Sequence, residues 1–387
     1  MKELRERLLE RTASLEAEIL GVSRFVHQHP EEGFKERLCS RFLAGGLARQ
    51  GFKVVRPMKR LPTAFTARRG RGRPCVGFIS EYDALPEIGH GCGHNLIAAS
   101  GFGAALALAP FAEELGGSVV LFGTPAEENG SAKVDMVKDG LFDGVDAVVM
   151  IHPESMWMVN TAGLALDALE FEFRGRASHA SSTPYEGVNA LDAMVLLFNG
   201  IGALRQQLRS DARIHGIITK GGTFPNIIPD HTEARFYVRC ARRDHLDEVS
   251  RKVKACAKAA ALATGCSLGV REFEKPLDDI VNNPVLAELV EENLRSLGVR
   301  ELEPRDEVPG SSDFGSVSHA APALYVYAAT APKGADLHTR EFGRLSLTPL
   351  AHAGLMTGVK ALALTGLDLL SKPALLAEVR KAFKKRR

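Results

Sequence analysis

The chain has 387 residues, more than one hydrophobic core usually organises, so two domains are expected. Its 45% hydrophobic and 25% charged residues are an ordinary globular composition, and a formal net charge of +2 gives no general reason to expect nucleic acid as a partner. Six cysteines without framework spacing favour free thiols in a reducing compartment; the charged start Met1–Glu6 and the lack of a run of about 18 apolar residues favour a soluble cytoplasmic protein with no membrane partner.

In chain order, leucines and isoleucines at helical spacing predict a helix from about Glu3 to Gln28, ended by Pro30. A turn at His29–Phe34 feeds a second helix to Gln50, with Gly51 as its stop. Strands are expected near Phe52–Val55, Thr63–Ala67 and Cys75–Ile79. The basic run Arg68–Arg73 reads as a glycine-punctuated hairpin turn, and the basic tail Lys384–Arg387 as a frayed terminus. A long Ala- and Gly-rich helix covers Leu96–Ala109, followed by a strand at Ser118–Gly123, a helix to Asp139 and a strand at Ala147–Ile151. This alternation implies a mostly parallel sheet covered on both faces.

Character changes near Gly163. Strands at Ala168–Arg174, Ile214–Thr219, Glu233–Arg239 and Ser267–Phe273, with helices at Gly187–Leu208 and His245–Thr264, give a βαββαβ order. That order suits a small ferredoxin-like antiparallel sheet with two helices on one face, inserted over residues 166–277. The flanking segments, 1–165 and 278–387, then form one discontinuous α/β domain. Its last part carries a helix near Pro284–Leu297, a strand at Ala323–Tyr327, a loop with His338, and helices from Thr348 onward.

The chemistry-bearing residues fall just past strand ends of that domain, the edge where open α/β sheets bind ligands. Gly89-His90-Gly91-Cys92-Gly93-His94-Asn95 sets a thiol and an imidazole two residues apart between glycines that let the backbone bend tightly. Alone, the pair fits a buried thiol beside a chance histidine equally well. The absence of any CxxC argues against a closed structural zinc knot and for an open site. Further ligand types are Glu127-Glu128 after a strand and a proline, His152 at the end of the next strand, and His338. A dinucleotide-binding reading of the glycines fails, because no G-x-G-x-x-G leads from a strand into a helix.

With these residues in view, the sequence resembles the co-catalytic metallopeptidases that include aminoacylases, carboxypeptidase G, p-aminobenzoyl-glutamate hydrolase and auxin-conjugate amidohydrolases. The resemblance spans nearly the whole chain and rests on His29–Phe34, Asp83–Pro86, Gly91–Asn95, Pro125–Glu128, Ile151–Pro153, Ala177–Ala180, Pro225–Pro229 and Leu337–Thr339. It is closest to the subgroup of p-aminobenzoyl-glutamate hydrolase subunits and dipeptidase-like relatives; Asn95 departs from the aspartate usual in the auxin-conjugate enzymes.

The resemblance implies a hydrolase that uses metal-activated water to cleave an amide beside a free carboxylate, in an N-acyl-amino acid, p-aminobenzoyl-glutamate or a dipeptide. Its cofactors would be two divalent ions, zinc first, with manganese, cobalt or nickel also admitted by the ligand set. Cys92 would bridge them; His94 and His152 would complete one, and Glu128 with His338 the other. Glu127 would be the general base, His179 the oxyanion donor, and Asn226 and Arg239 the contacts to substrate carboxylate. The inserted domain would act as lid and homodimer interface. The competing reading is a non-catalytic or regulatory subunit that kept the fold, which the loss of a ligand or of Glu127 would have signalled.

Overall fold

The computed structural model describes residues 1–58, 60–304 and 310–385, which leaves the end of the basic tail, Arg386 and Arg387, outside the described residues. The chain divides into two compact units, Met1–Ala162 with Ile280–Arg387, and Gly163–Asp279. The first unit opens with α1 (Lys2–Ser14), α2 (Glu16–Gln28), α3 (Arg37–Arg49), β1 (Lys53–Val55), β2 (Phe65–Gly70), β3 (Cys75–Glu81), α4 (His94–Glu114), β4 (Ser118–Thr124), α5 (Glu127–Gly130), α6 (Ala132–Lys138) and β5 (Ala147–Glu154). The second unit holds β6 (Ala165–Arg174), α7 (Ala190–Arg205), β7 (Arg213–Lys220), β8 (His231–Cys240), α8 (Arg243–Thr264) and β9 (Ser267–Glu272). The chain then returns to the first unit as α9 (Pro284–Ser296), α10 (Phe314–Ala320), β10 (Ala323–Ala329), α11 (Arg340–Leu345), α12 (Pro349–Ser371) and α13 (Pro373–Lys384).

The first unit's sheet has the order β1-β2-β4-β3-β5-β10. β4, β3, β5 and β10 run parallel, while β2 pairs antiparallel with β4 and β1 with β2. Because side chains alternate across a strand, each central strand feeds two cores. Val76 and Phe78, Val119 and Leu121, and Val149 and Ile151 pack with α2, α4 and α12. Cys75 and Ile79, Val120 and Phe122, and Val148 and Met150 pack with Met136 of α6 and Phe314 of α10. Strands covered on both faces need continuous apolar runs, and β3, β4 and most of β5 are buried along their length.

Several details differ from the sequence expectation. The first helix breaks at Leu15, whose N–H is shared between the carbonyls of Arg11 and Thr12, so that α1 lies against α4 and α12 while α2 lies on α4. Arg68–Arg73 is no hairpin turn: β4 sits between β2 and β3, and Arg68 and Arg69 lie in β2, bonded to Ser118 and Glu113. The helix after β4 is split at Ser131, a left-handed residue with φ 48°. α4 and α12 each hold an 18-residue window apolar enough to cross a membrane by composition. Interspersed Gly, Ser, His and Thr hide this from a search for unbroken apolar runs, and the windows are 94% and 83% buried within the protein.

The second unit is a four-stranded antiparallel sheet of order β7-β8-β6-β9. Phe171, Phe173 and Phe236 on one face pack against Met194 and Leu197 of α7 and Val249 and Val253 of α8. This is the ferredoxin-like arrangement that the βαββαβ order implies.

Candidate metal centre

β3, β4 and β5 are parallel, so their C-terminal ends deliver side chains to one edge of the sheet. Glu81 ends β3 and Asp83 follows it; Glu127 and Glu128 open α5 just after β4; His152 lies near the end of β5. Cys92 and His94 flank Gly93, which precedes α4 with φ 72°. A Cβ at Gly93 would lie 2.9 Å from the Pro153 side chain, so only glycine gives both the turn and the close approach. His338 sits in the β10–α11 loop, also left-handed at φ 61°, as is Ala126 at φ 54°. Such non-glycine conformations cost of order 1–3 kcal/mol each and persist only where the surroundings impose them.

Two potential ligand triads share one thiol. Cys92, His94 and His152 form the first; Cys92, Glu128 and His338 form the second; within each, the ligand atoms lie within 4.8 Å of one another. His94, Glu127 and Glu128 are grouped equally closely. Cys92 Sγ is 3.4 Å from His152 Nε2, His94 Nε2 is 3.6 Å from Glu128 Oε1, and His338 Nε2 is 3.7 Å from Glu128 Oε2. The other ring nitrogens are spoken for: His94 Nδ1 is 3.0 Å from Asp83 Oδ1, and His152 Nδ1 is 2.8 Å from the Pro153 carbonyl oxygen. Asp83 Oδ2 also accepts the Glu128 N–H. Such outer bonds fix a tautomer and point the free nitrogen at a metal.

The residues fit a cation by a direct test. His94 Nε2 and Glu128 Oε1 are buried without a hydrogen-bond partner among the described residues, although they face each other. Leaving a buried polar atom unpaired costs about 1–3 kcal/mol, and a cation between such atoms removes that cost. Thiolate, imidazole and carboxylate together suit a divalent transition ion.

The electrostatics agree. Burial, with Glu128 next, pushes the Cys92 thiol well above its ordinary pKa, so a nearby cation is needed to make it a thiolate. Burial, then His94, lowers His152 to about 4 and keeps it a neutral ligand. Burial opposes charge on His94, but the Asp83 carboxylate outweighs it and raises its pKa well above normal. Asp83 itself, despite burial, is held at about 2, chiefly by His94 and the Glu128 N–H.

Behind the ligands lies a group that the motifs do not reveal. Lys133 Nζ is 2.7 Å from Glu81 Oε1 and 2.5 Å from Asp313 Oδ1, all three side chains being at most 1% exposed. Glu81 Oε2 in turn lies 3.7 Å from His94 Nε2. One ammonium facing two carboxylates leaves a net negative charge when both are ionised, the sign that a neighbouring cation requires.

The remaining sequence candidates belong to the second unit. His179 Nδ1 accepts the N–H groups of Ser181 and Ser182, which puts the ring proton on Nε2. The Asn226 carbonyl accepts the Ala180 N–H, so both candidates sit in one pair of linked loops. Arg239, on β8, lies 5.6 Å from the Tyr237 ring and has its buried Nε without a partner among the described residues.

The sequence model of peptidase family M20/M25/M40 matches residues 77–363, a span that includes every ligand candidate and the strands β4, β5 and β10 with most of β3. The chain belongs to peptidase family M20/M25/M40. As an M20 member it is a metallo-hydrolase of amide bonds, which accords with the family resemblance read from the motifs. It is 36% identical over 400 residues to the Xaa-Arg dipeptidase of Mus musculus, covering 98% of this chain and 92% of that protein. It is 30% identical over 429 residues to a p-aminobenzoyl-glutamate hydrolase subunit of Escherichia coli K12, covering 91% and 89%. Among solved M20 structures, the YXEP protein of Bacillus subtilis, described as a dinuclear metal binding peptidase, superposes with a TM-score of 0.71. At 20% identity over 92% of this chain and 99% of that one, it shows the shared fold.

Proposed function

We propose that this M20 chain is a two-metal amidohydrolase that cleaves the amide preceding a carboxylate-bearing amino acid. The observation that carries the reading is the pair of ligand triads sharing Cys92, with Glu127 beside them and not required by either. In this reading Cys92 would be the ligand common to two cations, with His94 and His152 holding one and Glu128 and His338 the other. Zinc suits the set first; manganese, cobalt and nickel remain compatible with it. When bound, the pair supplies Lewis acidity that polarises the scissile carbonyl and lowers the pKa of water.

The chain's own residues do the rest. Glu127 takes the water's proton and delivers it to the leaving amine. Asp83 and the Pro153 carbonyl hold the His94 and His152 rings. From the second unit, His179 Nε2–H is assigned to the developing oxyanion, and Asn226 and Arg239 to the substrate carboxylate. We also assign the second unit a lid and pairing role in a cytoplasmic homodimer: β7 is an edge strand with Ile217 and Ile218 exposed, a surface suited to pairing across a two-fold axis. A non-catalytic subunit would be free to lose ligands, and all five ligand residues and Glu127 are present.

The names of the relatives set the order of substrates to try: dipeptides ending in arginine, then p-aminobenzoyl-glutamate, then N-acyl-amino acids. The test is release of free amine from this panel by chelator-treated protein before and after addition of zinc, manganese, cobalt or nickel. Cleavage of at least one member, restored by metal, is expected; no cleavage of any by protein shown to hold two ions refutes the reading.

A further inference from the structure

We propose that Glu36 is a positioning residue: its buried carboxylate bridges the Ala126 N–H and the Thr63 hydroxyl, and so sets the loop carrying Glu127-Glu128 against the loop carrying Asp83. The inference rests on the two-metal reading for the roles of Glu127 and Glu128, but its geometry stands apart from it. Glu36 is fully buried. Its Oε1 accepts the Ala126 N–H at 2.8 Å and its Oε2 accepts the Thr63 hydroxyl at 2.8 Å.

One bond reaches the metal edge directly and the other reaches it through Tyr82. On one side, Ala126 is the left-handed residue immediately before Glu127, and its conformation is one that a non-glycine residue holds only under constraint. On the other, the Thr63 carbonyl accepts the buried Tyr82 hydroxyl at 2.6 Å, one residue before Asp83. Asp83 closes the circuit by accepting the Glu128 N–H and bonding His94. The turn before Glu36 makes the approach possible, because a Cβ on Gly33 would fall 2.0 Å from Asn129 Oδ1 and 2.8 Å from the Ala126 Cβ.

Glu36 has one local hydrogen bond, from its own backbone N–H, and its other two partners, Thr63 and Ala126, lie far along the chain. It occupies the position before the first residue of α3, yet its side chain does not cap that helix. Glu31 does so instead, accepting the N–H groups of Leu38 and Cys39. Placing a carboxylate in the core is costly without compensation; besides its own N–H, the compensating groups are the Ala126 N–H, beside Glu127, and the Thr63 hydroxyl, on the residue whose carbonyl holds Tyr82 next to Asp83.

The test compares Glu36→Ala, Glu36→Asp and Glu36→Gln in full-length protein, reading kcat, KM and the affinity for added zinc measured by competition with a chelating dye. Glutamine can accept from Ala126 and donate to Thr63, so it should stay within about threefold of wild type in all three quantities. Alanine removes both bonds and aspartate is one methylene too short to span them. Each should lower kcat about 10²-fold, the scale of a misplacement near 1 Å, with KM within about threefold. Zinc affinity should fall about tenfold, the lower end for loss of an outer-shell partner. Wild-type kcat and zinc affinity in Glu36→Ala, or in Glu36→Asp should the alanine variant not fold, would overturn the proposal. So would a Glu36→Gln variant as impaired as alanine, since that would make charge, and not reach, the active property. Glu127→Gln run in parallel separates the two readings: if it keeps wild-type turnover the base assignment fails, and zinc affinity in the Glu36 series still decides the positioning role.

Discussion

Replacing Lys133 with methionine, which keeps most of its volume, tests the buried trio behind the metal edge. The variant leaves Glu81, 1% exposed, and Asp313, fully buried, without their ammonium. Breaking a buried ion pair from one side costs about 3–5 kcal/mol, because a desolvated charge remains behind. At about 2–4 °C per kcal/mol for a unit of this size, the metal-free protein should melt roughly 6–20 °C lower at pH 8. The pH dependence gives a second, independent reading. Burial already raises the Asp313 pKa in spite of Lys133, and loss of Lys133 raises it further. The native state then binds a proton that the unfolded chain, with an ordinary carboxylate, releases. Stability is therefore retained at low pH and lost as pH rises through the raised value, so the deficit of the variant should shrink between pH 8 and pH 6. Urea denaturation of metal-free protein at both pH values measures this. A deficit below about 1 kcal/mol at pH 8, on the scale of an exposed pair, would refute the claim that these charges are desolvated partners; a larger deficit unchanged at pH 6 would refute the carboxylate explanation.

Cys92→Ser and His94→Ala should abolish activity by losing metal, and elemental analysis decides it: wild-type metal content and turnover in Cys92→Ser would refute bridging by the thiolate. Glu127→Gln should keep its metal and fold but lose at least about 10²-fold in kcat, checked by steady-state rates on a cleaved panel substrate. His179→Ala should lower kcat with metal content intact, and Arg239→Ala should mainly raise KM for carboxylate-bearing substrates. Mixing inactive Glu127→Gln with His179→Ala should restore activity if the histidine serves the partner's site; no recovery after confirmed subunit exchange places it within its own chain.

The fold was legible where hydrophobic period and turn chemistry agree. β3, β4 and β5 are apolar runs ended by Glu81, Thr124 and the His152-Pro153 pair, and Gly51 stops α3 in the left-handed conformation expected of it. The missed features are tertiary. Leu15 sits in a sequence that could continue one helix; the break serves packing against α4 and α12, elements 80 and more residues away. α10 has only seven residues, too few to show a period, and is held by burial of Phe314 and Val317. The place of β4 between β2 and β3 is a matter of strand order, which the local composition around Arg68–Arg73 does not encode.

The site shows the same division for a chemical reason. Cys92, His94, Glu127, Glu128, His152 and His338 are unusual residue types at strand ends, so motif and position point to them together. Lys133 and Glu36 are common types in surroundings that read as solvent-exposed helix starts, Ala132-Lys133 and Phe34-Lys35-Glu36. What distinguishes them is burial, and burial is fixed by partners far along the chain: Asp313 lies 180 residues from Lys133, and Ala126 lies 90 residues from Glu36. A charged residue enters a core only with a partner to compensate its desolvation. Both partnerships end one bond from a ligand-bearing segment, Lys133 through Glu81 at His94 and Glu36 through Ala126 at Glu127. Lys133, Glu81, Asp313 and Glu36 thus form a scaffold around the metal edge, and their removal should be read in metal affinity and turnover as well as in stability.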